Sequence, residues 1–338
     1  MKTLRLFAEN KGDSARAGQI LRRGGLVAIP TETVYGLAAD GLNDAAVMKI
    51  FEAKGRPADN PLILHIANPA ELEALCRDIP PVAWTLAERF WPGPLTMVLP
   101  KRGCVGFAVT AGLDTVAVRC PAHPAARDVI ACAGRPLAAP SANLSGRPSP
   151  TTAAHVLADF DGKIDAVLDG GACGVGLEST VIDLSGEPLL LRPGRVTETQ
   201  LRALLPGLRV HSGIETPVEG TVKSPGLLHR HYAPRAPFFL LRGGRDAVFS
   251  YISEQSKKNG VAVLCTKEEA NAFAGLQCVA CGRDGDAASV AAELFDGLRR
   301  LDGLDAELLF ARYPEGGGIM AAVRNRLLRA ADFQVIDV

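Results

Sequence analysis

Short apolar runs alternate along the first two hundred positions with segments whose apolar residues recur every three or four. Leu26–Ile29 reads as a strand ending at Pro30, and Leu62–Ile66, Leu95–Leu99, Val116–Arg119 and Ala166–Leu168 read the same way. Asp44–Lys54 predicts a helix, because Val47, Ile50 and Phe51 share one face. Further helices are predicted over Val82–Phe90, stopped by Pro92, and over Ala125–Ala133, Thr152–Phe160 and Glu198–Leu205. Thr180–Leu184 and Leu189–Leu191 flank Ser185-Gly186-Glu187-Pro188, which is turn chemistry, and so predict a hairpin. The mixture points to an α/β domain with a mixed, twisted sheet.

From about His211 to Pro237 the periodicity disappears. Prolines and glycines (Pro217, Gly220, Pro225, Gly226, Pro234) are interspersed there with Lys223, His229, Arg230, His231 and Arg235. A structureless stretch of this length is a linker or a functional lid, and its basic and ring-bearing residues favour a lid over an anionic ligand. Beyond it, Phe238–Leu241, Val261–Leu264, Gln277–Ala280, Leu308–Phe310 and Phe333–Ile336 read as strands. Helical segments lie between them at Asp246–Lys258, Glu268–Phe273, Ala287–Leu301 and Met320–Ala330. This β-α-β series predicts a smaller Rossmann-like domain with a mostly parallel sheet. The expected organisation is a catalytic domain over 1–210, a linker over 211–236 and a C-terminal domain over 237–338.

Composition narrows the chemistry. The 338 residues are enough for two domains, and 37 basic against 37 acidic side chains argue against broad electrostatic binding of nucleic acid. A small local basic pocket stays open. Eight cysteines are too dilute for a disulfide scaffold, and Cys278 and Cys281 lack the second pair a four-sulfur zinc site needs. No signal-peptide pattern opens the chain and no run of about 18 apolar residues occurs, so a cytoplasmic location without membrane contact is expected.

Dense polar chemistry gathers at the ends of apolar runs. Thr31-Glu32-Thr33-Val34-Tyr35-Gly36 follows the first; Lys54-Gly55-Arg56-Pro57 with Asn60-Pro61 follows a helix; Ser141-Ala142-Asn143 with Ser145-Gly146 follows Leu137–Ala139. Two cations on a rigid loop suit a polyphosphate, Arg as a planar fork and Lys as a point charge. With Arg119 and Arg192 at two other strand ends, four cations stand ready to converge on one cleft. Each charge-assisted contact is worth about 1.5–3 kcal/mol. Singly, each has a plainer reading: a solvated arginine, or in His65 a satisfied core histidine. Gly316-Gly317-Gly318 is read as a helix entry, because no G-x-x-x-x-G-K-[ST] loop is present.

In their order along the chain these motifs resemble the long, two-domain form of the threonylcarbamoyl-AMP synthase family, within the YrdC-like superfamily. The resemblance runs through Pro30-Thr-Glu-Thr-Val-Tyr-Gly36, Lys54-Gly-Arg-Pro57, Trp91-Pro-Gly-Pro-Leu-Thr96, Val118-Arg119, Pro140-Ser-Ala-Asn143, Ser179-Thr-Val-Ile-Asp183 and Arg192-Pro-Gly194. Ser224-Pro-Gly226, His229-Arg-His-Tyr-Ala-Pro234 and Asn325-Arg-Leu-Leu328 are similar to segments of the long form. It implies that L-threonine, bicarbonate (or carbon dioxide) and ATP with Mg2+ give L-threonylcarbamoyl-AMP and pyrophosphate. The product would pass to a tRNA threonylcarbamoyl transferase complex that modifies the adenosine beside the anticodon. By the same resemblance Thr33, His65, Arg119, Ala139 and Ser179 contact threonine. Arg56, Asn60, Thr115, Ser141, Ser149, Arg192 and Tyr232 surround ATP, with Lys54 and Asn143 close to its phosphates; Lys54, Arg56, Ser141 and Asn143 are the expected catalytic group. No nucleophile and no protein-held metal site are expected. Two other readings remain: an RNA-docking YrdC-like module, and a carbamoyl-phosphate-using transferase, which would carry acylphosphatase and zinc-finger segments ahead of this domain.

Overall fold

The computed structural model describes residues 2–10, 12–216 and 232–338. Among them the first sheet is built from β1 (Leu4–Phe7), β2 (Val27–Ile29), β3 (Gly36–Asp40), β4 (Ile63–His65), β5 (Leu95–Pro100), β6 (Thr115–Arg119), β7 (Leu137–Ala138), β8 (Ala166–Asp169), β9 (Thr180–Asp183), β10 (Leu189–Arg192) and β11 (Arg209–Val210). Their spatial order is β1-β8-β2-β3-β7-β4-β6-β5-β9-β10-β11. The pairing is mixed: β4 with β6 and β5 with β9 run parallel, whereas β3 with β7, β5 with β6 and the β9–β10 hairpin run antiparallel. The second sheet holds β12 (Phe238–Arg242), β13 (Val261–Cys265), β14 (Gln277–Ala280), β15 (Leu308–Arg312) and β16 (Val335–Asp337) in the order β14-β13-β15-β12-β16, parallel throughout.

Most predicted elements stand within a residue or three of their expected bounds; the Asp44–Lys54 helix matches at both ends. Asn43 caps it by accepting from the Ala45 and Ala46 amides, and Gly55, at φ 60°, ends it in the left-handed region that glycine tolerates. That stop places Lys54 at the last helical position and turns Arg56 back over Phe51, 5.9 Å from its ring.

Two differences have physical causes. The Asp13–Arg22 helix, absent from the expected elements, packs largely through small residues: a Cβ on Gly18 would lie 2.7 Å from Cys132 Cβ of the Pro124–Ala133 helix. The helix expected over Glu268–Phe273 is instead a single 3-10 turn, Ala270–Phe273. Glu269, just before it, accepts from the Thr266 amide and hydroxyl, both at 3.1 Å, and from Arg312 at 2.8 Å, and Gly275, at φ 92°, follows close behind its end.

The two sheets meet through buried polar contacts. Arg326 in the Ile319–Ala330 helix is wholly buried and bonds Glu178, and Arg299 in the Ala287–Asp302 helix bonds Asp159 at 2.8 Å and the Pro148 carbonyl at 2.6 Å. No helix among the described residues is long and apolar enough to cross a membrane.

Candidate active site

Period-two geometry on two parallel strands defines the floor of a cleft. The register sets Ile63 beside Ala117 and His65 beside Arg119, so one face of β4 and β6 presents Ile63, His65, Ala117 and Arg119 together. Thr115 shares that face, about 13 Å along β6 from Arg119 at the usual rise per residue. Loops close the sides. The 140–142 segment is stitched to the 35–37 segment by Leu37 N–H to the Pro140 carbonyl at 2.7 Å and Ala142 N–H to the Tyr35 carbonyl at 2.8 Å. The Ser145 amide donates to the Lys54 carbonyl at 3.0 Å.

The enclosed cleft is lined by Thr33, Lys54, Arg56, His65, Arg119, Ala139, Ser141, Asn143, Ser179, Arg192 and Tyr232, along with Glu178 and small loop residues. All four expected cations therefore face one space. Asn60, Thr115 and Ser149 are not part of its lining. Asn60 is wholly buried, with neither side-chain atom hydrogen-bonded, while its carbonyl accepts from Arg56 at 3.2 Å. Ser149 sits behind the cleft and donates to Glu178 at 2.5 Å.

The cations are held differently. Lys54 Nζ donates to the carbonyls of Ser141 at 2.5 Å and Asn143 at 2.6 Å, and burial, then the neighbouring Arg56 charge, pull its pKa well below the usual lysine value. Burial likewise lowers the Arg56 guanidinium to about 10. Arg192 donates to the Ser179 carbonyl at 3.0 Å and hydroxyl at 3.2 Å; burial, then Arg326, bring it to about 10. Arg119 is different: it contacts Glu32 at 2.6 Å, the Thr33 hydroxyl at 2.8 Å and the Gly93 carbonyl at 3.2 Å. Burial would raise the Glu32 carboxyl, but Arg119 more than offsets this and holds it ionised below the usual value.

Two neutral groups complete the lining. The His65 ring, with Nδ1 3.2 Å from the Ile63 carbonyl, is pushed down to about 3 by burial and then by Arg119, so it presents a hydrogen bond and no charge near neutral pH. The Asn143 amide is oriented by its own donors: Nδ2 bonds the Leu144 carbonyl at 2.9 Å and the Arg147 carbonyl at 2.8 Å. Its Oδ1 is left buried without a partner.

Tyr232, at φ 63°, enters the cleft from the segment joining the two sheets and packs its ring 4.9 Å from Phe295. Ala233 next to it donates to the Gly146 carbonyl at 3.0 Å. Ser224-Pro-Gly226, Lys223, His229, Arg230 and His231 lie outside the described residues. Sequence reasoning passed over Glu178 as a buried anion and Arg326 as its partner. The signal was a carboxylate directly before Ser179 and an arginine in the Asn325-Arg326 pair. Among the described residues no group of three or more His, Cys, Asp or Glu is placed to hold a metal ion.

Comparison with known proteins agrees over the whole chain. Residues 19–194 match the family model described as Telomere recombination, and residues 196–332 match Threonylcarbamoyl-AMP synthase, C-terminal domain. A Bacillus subtilis protein named threonylcarbamoyl-AMP synthase is 44% identical over 99% of this chain and 100% of its own. A Pyrococcus abyssi protein of the same name is 46% identical over 95% of each. The crystal structure of P. abyssi Sua5 complexed with L-threonine superposes with a TM-score of 0.94 at 42% identity, covering both chains fully. With motifs, two-sheet architecture and full-length similarity in agreement, the chain belongs to the threonylcarbamoyl-AMP synthase family.

Proposed function

We propose that this chain is an L-threonylcarbamoyladenylate synthase that joins L-threonine, bicarbonate (or carbon dioxide) and ATP, releasing pyrophosphate. The observation that carries the reading is the charge layout of the cleft. At one end Lys54 and Arg56, held by neutral carbonyls, make no ion pair among the described residues, which suits a polyanionic triphosphate. At the other, Arg119 comes already paired with Glu32 beside neutral His65, Thr33 and Ser179, which suits an amino acid carrying a single carboxylate.

On this reading Arg119 receives the threonine carboxylate, and Thr33, His65, Ala139 and Ser179 surround the rest of that substrate. The threonine amine, once neutral, attacks carbon dioxide and loses a proton to give the carbamate. A carbamate oxygen then attacks the α-phosphate, and pyrophosphate leaves. Nothing in this sequence needs a protein nucleophile; placement and charge neutralisation lower the barrier. Lys54, Arg56 and Arg192 meet the phosphates, and Asn60, Thr115, Ser141 and Ser149 lie on the surrounding walls and behind them. Unpartnered Asn143 Oδ1 and the nearby Ser141 hydroxyl fit Mg2+, a hard cation that takes few protein oxygens and keeps phosphate and water ligands. Bound there with ATP, Mg2+ would neutralise phosphate charge.

The cleft leaves only about 70 Å3 open, room for a few waters. Tyr232, carried into the lining on the segment that joins the two sheets, is the side chain placed to shift as ATP enters, and its cover over the nucleotide would keep water from a labile mixed anhydride. The product then passes to a tRNA-modifying transferase complex in the cytoplasm; a net charge of +0 fits a protein that need not itself hold tRNA tightly. The test is incubation of purified protein with ATP, magnesium, bicarbonate and labelled threonine. Pyrophosphate release that needs both threonine and bicarbonate is expected; release indifferent to either would overturn the reading.

A further inference from the structure

A second cavity opens in the C-terminal domain and shares no lining residue with the catalytic cleft. It lies at the carboxyl ends of three strands, between Thr266 after β13, Arg283 and Asp284 after β14, and Glu315 after β15. The strand order β14-β13-β15-β12-β16 accounts for its position. The chain leaves β13 for β14 on one side, and leaves β15 for β16, two places away on the other. Loops that part in this way leave a crevice at the end of the sheet, the usual place for a ligand in an open parallel sheet. About 260 Å3 is open there, against about 70 Å3 in the catalytic cleft. That is room for roughly nine waters, or a body of about as many heavy atoms.

The inner wall is apolar: Leu264, Leu294, Ala311, Val323 and Leu327 are each 5% exposed or less. The hydroxyl and thiols that reach it are engaged. Thr266 donates to Glu269 at 3.1 Å, and the Cys265 and Cys281 thiols, both pushed up to about 12 by burial, donate to the Val279 and Val290 carbonyls at 3.9 and 3.6 Å. A nucleobase, or any ring with a hydrogen-bonding edge, would bury its donors and acceptors there without partners, which is costly. A hydrocarbon chain or a phenyl ring would not.

The mouth offers one charge of each sign. Arg312 is taken up by Glu269 at 2.8 Å and Asp284 at 3.6 Å, and Asp284 also pairs with Arg245 at 2.7 Å. Arg283 and Glu315 are exposed and make no ion pair among the described residues. They follow β14 and β15, which stand on either side of β13, so their loops flank the mouth about 10 Å apart at the usual strand spacing. Two long side chains with a zwitterionic head group between them can span that gap.

We infer that this cavity binds an α-amino acid with a large apolar side chain, of the kind of leucine, methionine or phenylalanine. The side chain fills the crevice, the α-carboxylate meets Arg283 and the α-ammonium meets Glu315, both as charge-assisted contacts. Threonine is a poor occupant, because its short side chain would fill little of the space and set a hydroxyl among apolar groups. The site is separate from the threonine pocket assigned in the catalytic cleft and does not rest on that assignment.

The experiment titrates L-leucine, L-methionine and L-phenylalanine calorimetrically into the full-length protein, in saturating L-threonine so that the catalytic cleft is filled. Adenosine and 4-methylpentanoate, which is leucine without its amine, serve as comparison ligands. Expected is saturable binding of at least one of the three amino acids at one site per chain, with 4-methylpentanoate weaker than leucine and adenosine not bound. Arg283→Ala and Glu315→Ala should each weaken binding about tenfold, the scale of a lost hydrogen bond to a charged group. Both side chains are exposed, so neither substitution should change the Tm or the affinity for threonine. No saturable binding of any of the three, adenosine binding in their place, or binding indifferent to both substitutions would overturn the proposal. Binding seen without threonine and abolished by it would place the amino acid in the catalytic cleft and overturn the proposal equally.

Discussion

Two sets of buried cations divide the labour of this molecule. In the cleft, Lys54 and Arg56 are oriented by carbonyl oxygens and make no ion pair among the described residues, so the protein bears much of their desolvation. At the contact between the two sheets' domains, Arg326 and Arg299 are matched in charge to Glu178 and Asp159. An unmatched buried charge costs stability unless something binds it. The first set is therefore shaped for a ligand and the second for the fold, and substitutions should separate the two.

The largest effect is expected at Lys54. Lys54→Met should cut adenylate formation by about two to three orders of magnitude, the scale seen when a fixed electrostatic contact to a transition state is lost. Its Tm should hold or rise, because a buried cation that makes no ion pair among the described residues is replaced by an apolar chain of similar length. A fall of many degrees with the activity loss would place Lys54 in the structural set. Arg299→Met should do the opposite. Asp159, with its side chain wholly buried, keeps among the described residues the partly exposed Arg147 at 2.6 Å as its ion-pair partner. The loss is about 3 kcal/mol in denaturant unfolding, while kcat falls little.

Acid sharpens the contrast. The Glu178 and Asp159 carboxyls would both be raised by burial, but arginines more than offset that and hold them below their usual values of 4.5 and 3.8. Below those values the unfolded chain binds more protons than the folded one, so stability is fully present above about pH 5 and falls on acidification. Thermal unfolding followed from pH 7 to pH 3 should show this decline, and Glu178→Gln in the Arg326→Met background should flatten part of it. An unchanged slope would mean that Glu178 is not held ionised by its arginines.

Sequence made the cleft set more legible than the interface set, for a physical reason. Cleft groups sit on short loops directly after apolar runs, as Arg56 follows a helix stop and Ser141 follows β7, so local punctuation announces them. Arg119 and Arg192 close β6 and β10, and strand ends are visible in the hydrophobic pattern. Arg326 and Arg299 lie inside amphipathic helices, where an arginine ordinarily marks the solvated face. Their partners are more than a hundred residues away in the chain, and only tertiary packing reveals them. The all-parallel second sheet was readable from alternating strands and helices. The Asp13–Arg22 helix was not, because its buried positions are Ala17, Gly18 and Leu21, of which only the leucine is a large apolar residue.

The smallest predicted effect falls where the two sets meet, at Tyr232. Its ring lies 4.9 Å from Phe295, a residue of the second domain's core, so the tyrosine is seated by one domain while lining the other's cleft. An aromatic pair of this geometry is worth about 0.5–1.5 kcal/mol beyond its area, which amounts to roughly a threefold to tenfold shift in where the ring resides. Phe295→Leu keeps an apolar side chain in the core but removes that pair, and so should release Tyr232 more readily to the nucleotide. If Tyr232 must leave this seat for ATP to enter, the variant binds Mg2+-ATP severalfold more tightly in the absence of threonine. If the pair instead holds the tyrosine in its nucleotide-covering position, the variant binds ATP more weakly and lets more of the adenylate hydrolyse. Titration of the variant, with product lifetime measured beside it, distinguishes a resting seat from a closed one.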